Sequence, residues 1–229
     1  QPAKFAAWQN WPWQEIALLV ISPGIPHHHP TPHPAAAMAT DHGVEIVSEV
    51  ELALRARSAA KLVAVTGTNG KSTATALIGH CLRAAAIPVA VGGNIGAAAC
   101  SLHDPGPDGV LVLEMSSYQL ETTPSLAPDV AVILNISPDH LDRHGGMDGY
   151  IAAKAKILDQ IKRDGIAVIG NGDPHVQALA KTCAARLIDC QIADPASAPA
   201  AQRQSVALAG QHNAENAAAA ALAANYLGV

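Results

Sequence analysis

Aromatic side chains are scarce in this chain, at 3% of residues with a single phenylalanine, and charged residues reach only 14% against the usual ~25%. With 14 Lys+Arg against 19 Asp+Glu and a net charge of -5, it lacks the basic excess that a partner such as nucleic acid or anionic lipid demands. Long hydrophobic runs are missing too. The longest aliphatic stretch, Ile16–Ile21, has the length of a strand and falls far short of the ~18 apolar residues that span a bilayer. No basic-then-apolar leader opens the chain, so nothing points to secretion. The four cysteines, Cys81, Cys100, Cys183 and Cys190, form no Cys-x-x-Cys pair. A chain this long has no need of a disulfide framework, and the thiols read as reduced. No internal repeat is visible.

What the chain has is aliphatic mass. Hydrophobic residues make up 49% of 229, ample for a buried core in one large or two small domains. Alanine is abundant, so helices are expected to pack closely through small side chains. The chain opens at Gln1 rather than Met, and Gln1–Glu15 carries three tryptophans without periodicity, which suggests a piece of something longer.

From Ile16 onward, strand-length apolar runs alternate with helix-length segments. The expected strands are Ile16–Ile21, Val44–Val47, Leu62–Thr66, Pro88–Val91, Val110–Leu113, Val130–Leu134, Ile166–Ile169 and Val206–Leu208. They are near-continuously apolar, as befits strands covered on both faces of a parallel sheet. The expected helices are Ala35–His42, Glu49–Ser58, Ser72–Ala85, Gly149–Arg163, His175–Ala184 and Asn213–Leu227. This alternation predicts an α/β fold, a mostly parallel sheet with helices on both faces. Proline crowds Ser22–Pro34, which cannot be regular throughout. A domain boundary is expected near Ser58–Lys61.

The strongest local signal is Leu62–Thr75, LVAVTGTNGKSTAT, an apolar strand running into a glycine turn and a helix. Gly67 and Gly70 permit backbone geometry that exposes consecutive amides, and with Thr68, Asn69 and the helix N-terminus they make an anion site. Lys71 can reach β- and γ-phosphates, and Ser72 followed by Thr73 can place a hydroxyl on Mg²⁺. The loop is shorter than the usual pattern, which would put glycine at the position of Val65.

Two more strands end in chemically loaded segments. Val110–Leu113 leads into Glu114-Met115-Ser116-Ser117, and Val130–Leu134 into Asn135-Ile136-Ser137-Pro138-Asp139-His140. Ligands of open α/β sheets bind beyond the carboxyl ends of strands, so all three segments are expected to converge on one crevice. Glu114 beside a triphosphate suits Mg²⁺, which prefers oxygen; a helix N-terminal charge is its plainer role. His140 could hold a second metal or contact substrate, or be a buried hydrogen-bonded imidazole. Lys154, read as early in its helix, would by default be solvated. Gly92-Gly93-Asn94-Ile95-Gly96 implies either close backbone approach with Asn94 at the tip or a simple tight turn. In Gly210–Asn216, Asn213 suits an N-cap, leaving His212 and Asn216 for other work. The histidines of Pro26–His33 resemble a metal tract, but their proline interleaving favours an exposed loop.

Taken in order, GTNGKST (Gly67–Thr73), GGNIG (Gly92–Gly96), LEMSSYQLE (Leu113–Glu121), LNISPDHLDRH (Leu134–His144), YIAAKAKIL (Tyr150–Leu158) and GQHNAENAAAA (Gly210–Ala220) resemble the Mur ligase family, with the Ser-Ser-Tyr-Gln-Leu-Glu stretch nearest to its D-glutamate-adding branch. The resemblance implies a P-loop-type central ATPase domain at 61–229 preceded by the remnant of a UDP-binding domain at 1–60, with a C-terminal domain absent. It implies ATP and Mg²⁺ as cofactors and UDP-N-acetylmuramoyl-L-alanine and D-glutamate as substrates, in a monomer of the bacterial cytoplasm that neither binds nucleic acid nor enters the membrane. By the same resemblance Ser72, Glu114, His140 and a carbamylated Lys154 hold metal. Ser22, Pro23, Gly24, Asn94, Ser116 and His140 meet the nucleotide-sugar substrate, and His212, Asn213 and Asn216 face adenine and ribose. The alternatives are a sister ligase of the Mur or folylpolyglutamate type, or a nucleotide-binding module without ligase chemistry.

Overall fold

Strands that are apolar on both sides need cover on both sides, and the arrangement of the elements supplies it. The computed structural model describes residues 6–57, 59–159, 161–185, 189–199 and 209–229. A small parallel pair, β1 (Leu18–Val20) and β2 (Glu45–Val47), flanks helix α1 (Pro34–Asp41). After α2 (Glu49–Ala56) comes a six-stranded sheet made of β3 (Lys61–Thr66), β4 (Val89–Gly93), β5 (Val110–Glu114), β6 (Val130–Ile133), β7 (Ile166–Gly170) and β8 (Asp189–Ala193). Its spatial order is β4-β5-β3-β6-β7-β8, and every pairing is parallel. The helices between and after these strands are α3 (Lys71–Ala84), α4 (Ser117–Glu121), α5 (Leu141–His144), α6 (Met147–Ala155), α7 (Pro174–Ala185) and α8 (Gln211–Tyr226).

The period of two along each strand sorts the core into two layers. Leu62 and Ala64 of β3 point to the face covered by Val50 and Leu54 of α2, Tyr150 of α6 and Val176 of α7. Val63 and Val65 point to the face covered by Ala74, Ile78 and Leu82 of α3 and by Ala217–Ala220 and Ala223 of α8. The alanine-rich α8 therefore packs on α3 and the sheet through methyl groups, as the composition suggested. A third cluster lies under the small sheet. There Trp13, Leu19, Ala35, Ala39 and Val44 are buried, with Trp8 and Trp11 packed against them, so described residues of the aperiodic opening segment do have a seat.

Several boundaries differ from expectation for identifiable reasons. The helix expected over Gly149–Arg163 begins earlier, as α6 from Met147, and stops at Ala155, passing into a 3-10 turn at Lys156–Leu158; the short α5 before it, set off by Gly145 and Gly146 at φ of 69° and 117°, was not expected. Lys154 consequently sits in the last turn of α6, not early in a helix. The glycines 92 and 93 belong to β4 rather than to a turn after it. Strand β8 was not expected, since Asp189-Cys190-Gln191 is polar; among the described residues it is an edge strand that pairs with β7. The strand expected at Val206–Leu208 lies outside the described residues.

Among the described residues, Thr75 Oγ1 in α3 is the only buried side-chain polar atom without a hydrogen-bond partner. A buried hydroxyl in that state costs roughly 1–3 kcal/mol of desolvation. Thr75→Val, which keeps the shape, is expected to stabilise the fold by about 1 kcal/mol, read as a higher urea midpoint at unchanged slope.

Candidate active site

The loop after β3 is built so that its backbone, not its side chains, meets a ligand. Gly70 stands as N-cap of α3 in the left-handed region, φ 82°, where only glycine is comfortable. A Cβ there would also collide with the Asn216 carboxamide of α8, so this glycine serves both the turn and a close helix approach. The loop is tied down from β6's end: Thr68 N donates to Asn135 O at 2.8 Å, Asn69 N donates to Asn135 Oδ1 at 2.8 Å, and Asn135 Nδ2 returns a bond to Asn69 O at 3.1 Å. Thr68 Oγ1 accepts from Ser137 N at 3.0 Å and lies 3.1 Å from Tyr150 Oη. Lys71 Nζ donates to Thr68 O at 2.8 Å.

Glu114 ends β5 next to this loop and is 2% exposed. Ser72 Oγ donates to its Oε2 and Asn94 Nδ2 to its Oε1, each at 2.8 Å. Asn94 N also donates to the Glu114 carbonyl at 2.9 Å. The close approach that the glycine run implied is thus real, and its object is Glu114: a Cβ on Gly93 would collide with that carbonyl. Of the two readings for Gly92–Gly96, close approach is the one observed.

Lys154 is buried to 2% exposure. Its Nζ donates to Gly67 O at 2.8 Å and lies 4.7 Å from the centre of the Tyr150 ring. Burial first, and the positive charge of Lys71 second, lower its pKa to about 7. The default reading of a solvated lysine is therefore wrong. The amine is held near neutrality at the back of the phosphate loop.

A cavity of about 290 Å³ gathers Lys71, Asn94, Ser116, His140 and Lys154 with Pro23 and Gly24 of the proline-rich loop. Ser22 is exposed and is not among the lining residues. His140 is not the buried imidazole considered above: its side chain is 55% exposed, 3.4 Å from Asp139. Its backbone is left-handed at φ 51°, an uncommon state for a residue with a side chain and one that recurs at functional sites. Ser116 caps α4, accepting from Gln119 N. Arg143, not singled out from the sequence beyond its place in the LDRH stretch, donates to Gly24 O at 2.9 Å and His29 O at 3.1 Å, and so pins the proline-rich loop over the cavity. The histidine tract is not wholly exposed, since His27 has a side chain only 10% exposed and lies 3.8 Å from Glu121.

A second and larger cavity, about 600 Å³, opens on the other side of the loop. It is lined by Asn69, Gly70 and Thr73 together with His212, Asn213 and Asn216, so the loop and the start of α8 converge as expected. Asn213 is not the N-cap; Gly210 is, and Asn213 Nδ2 donates back to Ala209 O at 3.1 Å. Sequence reasoning missed three lining residues here, Asn171, Asp173 and Glu215. Asp173 caps α7, accepting from His175 N and Val176 N, and also holds Ile136 N at 2.9 Å. Burial raises the Glu215 carboxyl above its ordinary value. The Asp-Pro pair at the start of α7 was the available signal for the first of these.

The residues present fit a nucleoside triphosphate with Mg²⁺: the helix N-terminus and the loop amides other than those of Thr68 and Asn69, which Asn135 engages, with an ammonium for phosphate, and a hydroxyl and carboxylate already in contact as hard oxygen donors. Among the described residues no group of three or more His, Cys, Asp or Glu could hold a metal by itself, so phosphate oxygens and water would have to complete the coordination.

Residues 65–205 match the family model described as Mur ligase middle domain. The UDP-N-acetylmuramoylalanine--D-glutamate ligase of Rhodospirillum rubrum is 56% identical over 158 residues, 69% of this chain and 33% of that protein. The protein of the same name from a Caulobacter species is 45% identical over 249 residues, 95% of this chain and 52% of its own length. This chain thus spans about half the length of the curated relatives it matches. Among solved structures, the UDP-N-acetylmuramate:L-alanyl-gamma-D-glutamyl-meso-diaminopimelate ligase of Neisseria meningitides superposes with a TM-score of 0.62 at 18% identity, over 85% of this chain and 70% of that one. MurF of Acinetobacter baumannii gives 0.56 at 23% identity, over 85% and 54%; both show the fold.

The lowered pKa of Lys154 has a consequence for stability. In the unfolded chain this lysine returns to about 10.5, so between pH ~7 and ~10.5 the unfolded state binds the extra proton and stability rises with pH. Below pH 7 both states are protonated and the slope vanishes. Relative to Lys154→Met, the natural protein is expected to gain stability between pH 7.5 and 9.5 with a slope approaching 1.4 kcal/mol per pH unit, measured by urea unfolding at several pH values.

Proposed function

The chain belongs to the Mur ligase family, and from that premise we propose that it is the nucleotide-binding part of an ATP-dependent ligase that joins D-glutamate to UDP-N-acetylmuramoyl-L-alanine in peptidoglycan precursor synthesis. The observation that carries the reading is the junction of Ser72, Glu114 and Asn94 beside the loop, with Lys154 aimed at Gly67. A nucleotide-binding module without ligase chemistry would have use for the loop but not for a near-neutral buried lysine and a cavity of this composition. The D-glutamate relatives and the SSYQLE stretch favour that amino acid over those of the sister ligases.

The six-stranded unit from residue 61 onward is the ATP-binding domain, and residues 1–60 belong to a UDP-binding domain. ATP lies across the loop, with its base and ribose toward His212, Asn213 and Asn216 and its phosphates on the amides of 67 and 70–73 and on Lys71. The carboxylate of the nucleotide-sugar substrate enters the cavity between Gly24, Asn94, Ser116 and His140. There it attacks the γ-phosphorus in line, giving an acyl phosphate and ADP. The amine of D-glutamate then attacks the acyl carbon, forming the C–N bond as the C–O bond to phosphate breaks. Such phosphoryl transfer is mostly positioning and charge neutralisation. Mg²⁺, held by Ser72 and Glu114 and at a second position by His140 and Lys154, would neutralise phosphate charge. Lys154 suits the second position as a carbamate: its neutral amine at about pH 7 is the form that adds carbon dioxide, and the product is an oxygen donor in place of an ammonium. No described helix is long and apolar enough to cross a membrane.

Lys71→Ala is expected to weaken Mg²⁺-dependent ATP binding at least ~10-fold, in line with loss of charge-assisted phosphate contacts, by calorimetry or nucleotide fluorescence. Unchanged affinity would remove the basis of the reading. In the full-length protein, Lys154→Ala is expected to lose ligation and regain part of it when short carboxylic acids are added. This chain alone is expected to bind nucleotide and to form no amide.

A further inference from the structure

One chain of buried polar groups remains outside the mechanism so far. Ser117, at the start of α4 and 4% exposed, lines the cavity that holds Lys71, Asn94 and His140. Its Oγ lies 2.9 Å from His144 Nε2, and His144 Nδ1 lies 3.2 Å from Glu121 Oε1. The His144 side chain is fully enclosed. Tyr118 stacks on one side at a centroid distance of 5.2 Å, and Tyr150 tilts against it at 5.3 Å. Glu121 in turn lines a different cavity of about 400 Å³ together with His27 and Lys156. Serine, imidazole and carboxylate thus form an unbroken hydrogen-bonded line from the reaction cavity to a second, outer one. This order and spacing of groups is the one that moves a proton off a hydroxyl-borne site.

We propose that Ser117, His144 and Glu121 form a proton relay that deprotonates the incoming amine, with Ser117 the group that touches substrate. This rests on the ligase reading. At neutral pH the amino-acid substrate is mostly an ammonium, which cannot attack. One N–H bond breaks as its proton passes to Ser117 Oγ while the Ser117 proton passes to His144 Nε2. The resulting imidazolium is held against the Glu121 carboxylate. The freed amine forms the C–N bond, the acyl C–O bond breaks, and the second amine proton leaves with the phosphate as hydrogen phosphate. Between turnovers the His144–Glu121 pair discharges its proton to the outer cavity.

The surroundings suit this role. Burial raises the Glu121 carboxyl, but the hydrogen bond to His144, the charge of Lys156 and the attraction that His144 and His27 exert once protonated outweigh that and leave it below the ordinary value. The other charged or titratable groups near the line are Tyr118 and Tyr150 against the ring, Arg143 over the Tyr118 ring at 4.7 Å, and Lys154 over the Tyr150 ring. Burial raises both tyrosines, so they stay neutral and leave His144 as the acceptor.

The test uses the full-length protein and separates the two chemical steps. Positional isotope exchange in ATP, with the nucleotide-sugar present and the amino acid omitted, reports acyl phosphate formation. Amide formation between pH 6.5 and 9.5 reports the whole reaction. For Ser117→Ala and for His144→Gln, kcat for amide formation is expected to fall ~10²-fold at pH 7, with KM for ATP within twofold and isotope exchange at the natural rate. The deficit is expected to shrink as pH rises and the free amine becomes abundant, which a merely structural role would not produce. If His144→Gln does not fold, Ser117→Ala decides alone. A kcat within threefold of the natural protein, a deficit that is the same at pH 7 and 9.5, or an exchange rate that falls in parallel would each overturn the relay. Absence of exchange in the natural protein would instead overturn the ligase reading, and the relay with it.

Discussion

A single carboxylate, deprived of water at the end of a central strand, sets the geometry of everything around it. Glu114 accepts one hydrogen bond from α3 through Ser72 and one from the end of β4 through Asn94, while its own carbonyl takes the Asn94 amide. An ionised group so buried is costly unless its oxygens are satisfied. That cost is what holds three separate elements in mutual register: the loop helix, the edge strand and the central strand. Gly93 at the end of β4 follows from it, because only a residue without Cβ lets the backbone come close enough to reach that carbonyl. The same arrangement leaves a hydroxyl and a carboxylate side by side where a phosphate-bound cation needs them.

Most of this was legible in the sequence, and the parts that were not have physical reasons. The parallel sheet could be read because β3, β5, β6 and β7 are apolar on both faces, a pattern that only double cover explains. The loop could be read because strand, glycine turn, lysine and helix occur without interruption. The edge strand β8 was hidden because Asp189-Cys190-Gln191 carries no apolar run. The stop of α6 at Ala155 was hidden because the apolar spacing of Ile151, Ala155, Leu158 and Ile161 carries the helical pattern past it. Within the site, the convergence of Lys71 and His140 on one cavity was foreseeable from strand ends, whereas Asn94 and Lys154 were placed there only by the family resemblance. Burial of Lys154 was not, since a lysine among alanines looks solvated until the tertiary fold places it behind the loop. The line from Ser117 to Glu121 was equally invisible, because His144 joins it from 23 residues away through contacts that no spacing rule encodes.

The small sheet and the large one are linked by more than the connecting helix. Arg143 holds the carbonyls of Gly24 and His29, and His27 approaches Glu121. The proline-rich loop, whose Pro23 and Gly24 line the reaction cavity, is thus anchored to α4 and α5 by charged groups. Entry of a substrate past Gly24 and proton traffic near Glu121 therefore share a boundary, and a shift of that loop would be felt at both.

The alanine face of α8 has one last implication. A methyl group has no rotamers to choose among, so α8 brings to its contact with α3 no side chain that can swing aside. The separation of the two helices is set by those methyl groups against Ala74, Ile78 and Leu82 of α3, and Asn216 rests on Gly70 with no room for even one more carbon. The cleft beside them behaves as a rigid gauge rather than a compliant glove. It would select its nucleotide by dimension before any hydrogen bond is formed, and its tolerance would be inherited from the chain's preference for the smallest chiral side chain.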